Sequence, residues 1–239
     1  SAKQSIDGRL QKCPASPQGD LLGDIFWGGH LSRKELYAAV AELQIAAVET
    51  TANSLLWALY NISRNPHVQE KLFQEIQRVL AAQESPSAES LRNMPYLKAC
   101  LKESMRKLPH RVLPWRGGFR RALGAGSQRA SPLLLCLQTV LMINSHALGC
   151  SEEYFRGWPE FRPERWLQRG SVRPFSHVPF GVGRRMCVGR RVAELQLRLA
   201  LCWLVRRYRV VATDLQPVQT LHSGILVPGR ALPIAFRRR

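Results

Sequence analysis

A mainly helical fold with a small β component is what this sequence predicts, and three observations carry it. Four long stretches contain no glycine and no internal proline, and three of them open on a capping or proline signal. Inside the second and third, apolar residues recur at helical spacing. Short strand candidates, "RVVAT" and "LPIAF", close the chain.

Taken in order, residues 1–31 are polar, rich in Gly and Ser and without period, which predicts a loop. Ser32 and Glu35 then form a capping box ahead of "LYAAVAELQIAAVETTANSLLWALYNISRN". That stretch predicts one helix of about 33 residues, roughly 50 Å long at 1.5 Å per residue. Its apolar residues lie all round, so it is expected to run through a core. Asn65-Pro66 opens a second helix with Val68, Leu72, Ile76 and Leu80 on one stripe. A third begins near Pro95 and places Glu103 and Arg106 three apart, where side chains are neighbours.

Residues 107–138 break the regularity: Arg, Gly, Ala and Leu dominate, with no alternation until "LLLCL". Order resumes in "TVLMINSHALG" and in the turn-rich "WPEFRPERW". A fourth helix follows Gly189. Its expected buried face is Val192, Leu195, Leu199, Trp203 and their neighbours, with Arg190, Arg191, Arg198, Arg206 and Arg207 in water. The whole of 1–239 is read as part of a single domain.

The chain carries 35 Lys+Arg against 17 Asp+Glu, a formal net charge of +18. Such an excess points to nucleic acid, an anionic membrane or an acidic protein partner. A nucleic-acid role explains the charge alone, because no recognition fold or aromatic interleaving accompanies it. The six cysteines are too sparse and irregular for a disulfide framework, and they form no CxxC pair. The sequence shows no spanning segment and no signal-peptide layout, and it begins abruptly, as a fragment would.

The densest chemistry lies in "FGVGRRMCVGRR", Phe180 to Arg191. Gly183 and Gly189 allow close backbone approach of something flat or bulky, and Cys187 sits just ahead of a helix, whose N-terminal amides favour a thiolate. Such a thiolate is a nucleophile or a metal ligand. No base lies in the motif, and His177 is ten residues upstream, so ligation is the better reading. A haem iron held by one cysteine asks for a glycine-loosened loop and a cation for the propionates, a part Arg185 is placed to take.

The pattern Phe180-x-x-Gly183-x-Arg185-x-Cys187-x-Gly189 resembles the haem-binding loop of the cytochrome P-450 superfamily. Three further motifs follow the family's order. Glu103-x-x-Arg106 and the Arg165 of "FRPERW" are similar to its buried ion-pair core. "AAVETT" is similar to its oxygen-site helix, with Ala47 in place of the usual glycine. The resemblance implies that Thr50, bonded back to the carbonyl of Ala46, holds reduced oxygen while Glu49 relays protons.

Longer stretches, among them "YLKACLKESMR" and "LHSGILVP", resemble the mitochondrial branch that acts on vitamin D side chains. That branch implies haem b, NADPH-derived electrons from an acidic [2Fe-2S] ferredoxin and its reductase, and 24-hydroxylation of vitamin D metabolites. It further implies peripheral contact with the mitochondrial inner membrane on the matrix side, and no nucleic acid. Lys98 and Lys102 match its ferredoxin-docking lysines. Ala46, Gly224, Ile225, Leu226 and Val227 match its substrate contacts. The chain is expected to be the C-terminal half of that fold, with a non-catalytic fragment as the alternative, and residues 107–138 are expected to depart from the family's two strands and turn.

Overall fold

The computed structural model describes residues 3–4, 6–8, 31–81, 84–108, 113–115, 141–168, 170–222 and 225–239. Two compact units divide the chain, residues 1–52 and 53–239. The long helix α1, Arg33–Ser63, supplies residues to both.

In the first unit, α1 starts where the capping box places it. The Ser32 backbone N–H donates to Glu35 Oε2 at 2.8 Å, and the Glu35 N–H donates back to Ser32 Oγ at 3.4 Å. Residues 3–4 and 6–8 are helical, which corrects the loop expected over 1–31. Buried Ile6, the Tyr37 hydroxyl on the Asp7 carboxylate, and the Lys3 ammonium 5.6 Å over the Tyr37 ring hold that turn. Ile45 and Val48 are exposed, against the cover expected all along α1. The described residues bury the helix on every side only over 57–63.

The second unit is built on helices. Asn65-Pro66 starts α2, Pro66–Val79, and the proline at its first turn forfeits no intrahelical bond. Val68, Leu72, Ile76 and Leu80 are all buried, as their spacing predicts. Pro95 likewise opens α3, Pro95–Lys107. The Glu75 carboxylate accepts from the Tyr96 and Leu97 backbone N–H groups, each at 2.8 Å, so α2 caps α3. Burial and its desolvation raise the Glu75 pKa, which those two N–H groups oppose.

The helix after Gly189 is α5, Arg190–Arg207, reached through a short helix α4, Ser145–Gly149, and an irregular segment. Its core face is Leu197, Leu201, Cys202 and Val205. This corrects the face expected from the sequence: Val192 and Trp203 are exposed, and Leu195 and Leu199 pack only at the core's edge. Arginines on both sides of the helix leave its apolar stripe broad, so spacing alone does not choose its centre.

Three antiparallel strand pairs complete the described fold: β1 (Leu113–Trp115) with β2 (Leu141–Ile143), β3 (Tyr208–Ala212) with β6 (Ile234–Arg238), and β4 (Thr220–His222) with β5 (Leu226–Pro228). The closing strands fall where "RVVAT" and "LPIAF" put them. Strand β1 lies within 107–138, otherwise read as irregular; residues 109–112 and 116–138 lie outside the described residues.

Candidate functional site

Cys187 sits on a tight loop ahead of α5. Its backbone N–H donates to the Phe180 carbonyl at 2.9 Å, closing the loop, and its own carbonyl accepts from Arg190 N–H at 3.4 Å at the helix entrance. The turn needs left-handed backbone at Gly181 (φ 74°) and Gly183 (φ 76°), where a side chain would be strained. Gly189 differs. A Cβ there would meet Cys187 Sγ at 3.9 Å, an ordinary contact, so no clash within the chain demands glycine.

The thiol is exposed, and so are its apolar neighbours Met186, Val188 and Val192. The thiol and these three exposed side chains form a face suited to a flat apolar ligand. Arg185 is exposed beside it. Phe180 is half-buried against the core, with the Arg190 guanidinium 5.6 Å over its ring.

Glu103, Arg106 and Arg165 converge as the sequence predicts. The Arg106 Nε and Nη2 groups donate to Glu103 Oε2 and Oε1 at 3.0 and 2.8 Å, with both side chains fully buried. Arg165 Nε adds 3.1 Å to Oε1. The Arg162 backbone N–H, 3.0 Å from Oε1, and Trp166 Nε1–H, 2.8 Å from Oε2, complete the shell. Remaining guanidinium protons go to carbonyls: Arg106 to Gly149, Trp158 and Glu160, Arg165 to Arg156 and Gly157. Carbonyl dipoles therefore help carry the second cation's charge. Gly149 leaves room for this, since a Cβ there would lie 2.2 Å from the Arg106 carbonyl oxygen.

Trp166 joins this core to the surface, a part the sequence reading missed. Its ring lies 4.6 Å from that of His177, and the Lys102 ammonium sits 5.3 Å over it. Lys98 and Lys102 share one face of α3, Lys98 exposed and Lys102 half-buried. Desolvation first and the Lys98 charge second lower the Lys102 pKa. His177 is pushed down to about 3, by burial and then by the charges of Lys102, Arg106 and Arg190. Lys102, Trp166, His177 and Arg190 line an open depression of about 550 Å³ that also touches Phe180 and Met186.

In the first unit, Thr50 Oγ1 donates to the Ala46 carbonyl at 2.7 Å, the bond expected from the sequence. Ala46 and Glu49 are exposed. Of the predicted substrate contacts in the second unit, Ile225 and Val227 are half-buried and Leu226 is buried. Gly224 lies outside the described residues.

The sequence matches the cytochrome P450 family over residues 24–233. The chain belongs to that family. It is 56% identical to the mitochondrial 1,25-dihydroxyvitamin D(3) 24-hydroxylase of Rattus norvegicus, over 100% of this chain and 46% of that protein. The Mus musculus enzyme of the same name gives 56% over 99% and 45%. A mitochondrial sterol 26-hydroxylase of Oryctolagus cuniculus gives 33% over 98% and 46%. The chain thus spans about half the length of the curated relatives it matches.

The family implies a haem-thiolate centre. The residues present fit one: an exposed thiol, exposed apolar side chains beside it, and an exposed arginine two residues before. Among the described residues no group of three or more His, Cys, Asp or Glu is placed to hold a metal ion by itself. No helix of the described residues is long and apolar enough to cross a membrane.

Proposed function

We propose that this chain carries the thiolate side of a mitochondrial haem-thiolate monooxygenase that hydroxylates the side chain of vitamin D metabolites at the 24-position. The exposed Cys187 thiol, set in an exposed apolar face on a glycine-shaped loop, is the observation that supports it most. Haem, when bound, supplies the centre at which dioxygen is reduced and one oxygen atom enters a C–H bond. Cys187 gives it the anionic sulfur ligand, and Arg185 pairs with a propionate. Phe180 and the closed loop hold the sulfur in place.

Thr50 presents its hydroxyl beside a helix carbonyl it already occupies, and Glu49 carries protons toward it. Residues 224–227 receive the substrate. Lys98, Lys102 and Arg190 face an acidic [2Fe-2S] ferredoxin reduced from NADPH. A protein with these partners works in mitochondria, at the matrix side of the inner membrane and in peripheral contact with it.

A second reading is a form that holds haem without turning over. The exposure of Ile45 and Val48 on α1 favours it, since an open apolar helix face is a poor wall for a substrate pocket. The test is turnover per haem with ferredoxin, reductase and a vitamin D metabolite, for residues 1–239 and for a full-length 24-hydroxylase. Hydroxylated product from 1–239 supports the first reading; haem binding without product supports the second.

A further inference from the structure

Asn53, Trp57 and Tyr60 on α1 and Arg64 just past its end are spaced four, three and four apart, at helical spacing, and every one of them reaches the same C-terminal stretch. Asn53 Nδ2 donates to the Leu226 carbonyl, and Trp57 Nε1 donates to that same oxygen at 3.1 Å. The Tyr60 hydroxyl accepts from Val218 N–H at 3.1 Å. The Arg64 guanidinium donates to the carbonyls of Asp214, Leu215 and Gln216. Asn53 and Trp57 are 5% and 1% exposed, so both bonds form away from water, where an unmade one is costly.

A carbonyl has two lone pairs, and these two donors can occupy both. Leu226 is the first residue of β5, pairs with His222 across the hairpin, and directly follows Ile225. Trp57 also packs edge-on against Tyr60, at 5.6 Å and 77°, and clusters with buried Val218. The contacts of these four residues thus reach three points, Asp214–Gln216, Val218 and Leu226.

We propose that Asn53 and Trp57 are positioning residues that fix the hairpin segment Ile225-Leu226-Val227 and thereby set which side-chain carbon of the substrate is presented for hydroxylation. This rests on the substrate reading of residues 224–227 above. Neither residue touches the reacting atoms; both act through the Leu226 carbonyl.

The test compares wild type, Trp57→Phe and Asn53→Ala. Trp57→Phe keeps an aromatic ring but removes the N–H together with part of the indole, and Asn53→Ala, which leaves the Trp57 ring in place, separates the clamp from that lost packing. Amide hydrogen exchange over 218–228 reads the clamp without substrate turnover, and the ratio of products hydroxylated at neighbouring side-chain carbons reads its consequence. Expected are exchange about five- to tenfold faster over 218–228 in each variant, the loss of one buried hydrogen bond, and a product ratio moved about threefold with the haem spectrum unchanged. Unchanged exchange in both variants overturns the proposal, as does faster exchange with an unchanged product ratio. A wild-type protein that makes no hydroxylated product, yet shows the clamp by exchange, overturns the substrate reading instead.

Discussion

Replacing Glu103 by Gln tests the carboxylate at the centre of the buried ion-pair core. Five donors from four residues converge on its two oxygens, at 2.8 to 3.1 Å, and two of those residues are guanidinium cations. A glutamine amide keeps the shape but offers one oxygen. Whichever way it is turned, its NH2 group faces at least two N–H donors, and the buried Arg106 and Arg165 lose their shared carboxylate partner. Breaking a buried pair by removing one partner costs about 3–5 kcal/mol.

At about 2–4 °C per kcal/mol for a chain of this size, the melting temperature falls by about 6–20 °C. Trp166→Phe removes one of the five bonds, a charge-assisted one, and costs about 1.5–3 kcal/mol. Chemical denaturation of wild type and both variants, with equal m-values, measures these costs. A loss under 1 kcal/mol for Glu103→Gln, or a smaller loss than for Trp166→Phe, refutes the reasoning.

Two further outcomes follow. His177 binds a proton at about 3 in the folded state, against about 6.5 in an unfolded chain, so the unfolded state takes up the proton first as pH falls. Its stabilisation is full above pH 6.5 and declines from there toward pH 3, by at most about 1.4 kcal/mol per pH unit, and His177→Gln flattens that slope in denaturation midpoints measured from pH 7 to 4. An unaltered slope contradicts the assignment. Lys98→Gln/Lys102→Gln weakens binding of an acidic ferredoxin about tenfold at low ionic strength and flattens its salt dependence, because screening shortens from about 10 Å at 0.1 M to about 3 Å at 1 M. Titration giving equal affinities and slopes removes these lysines from the docking face.

The parts of this molecule that were legible in advance are those where a local signal suffices. The capping box at Ser32 and Glu35, the proline starts of α2 and α3, and the stripe from Val68 to Leu80 each follow from the backbone's own needs. So does the Thr50 bond to Ala46, which needs only four residues of helix. Glu103, Arg106 and Arg165 were legible through family resemblance alone, since a pair three apart on a helix is equally at home in water.

The misses depend on what lies across space. The core face of α5 turns on which neighbours pack against it, and its arginines flank more than one apolar stripe. Trp166 follows Arg165 in "FRPERW" and could have been suspected as a second donor to the same carboxylate, but indole N–H partners are not written in spacing. Asn53, Trp57, Tyr60 and Arg64 find their hydrogen-bond partners more than 140 residues away in sequence, so only the fold pairs them. The helical turn at 6–8 similarly rests on Tyr37, 30 residues beyond its partner Asp7.

The most direct test of the account is the absorption spectrum of residues 1–239 loaded with haem, reduced, with and without carbon monoxide, for wild type and Cys187→Ser. Cys187 as a thiolate ligand predicts a strongly red-shifted carbonyl band in the wild type and its absence in Cys187→Ser, with bound haem measured separately in both. A red-shifted band that persists in Cys187→Ser, or a haem-loaded wild type without one, contradicts it.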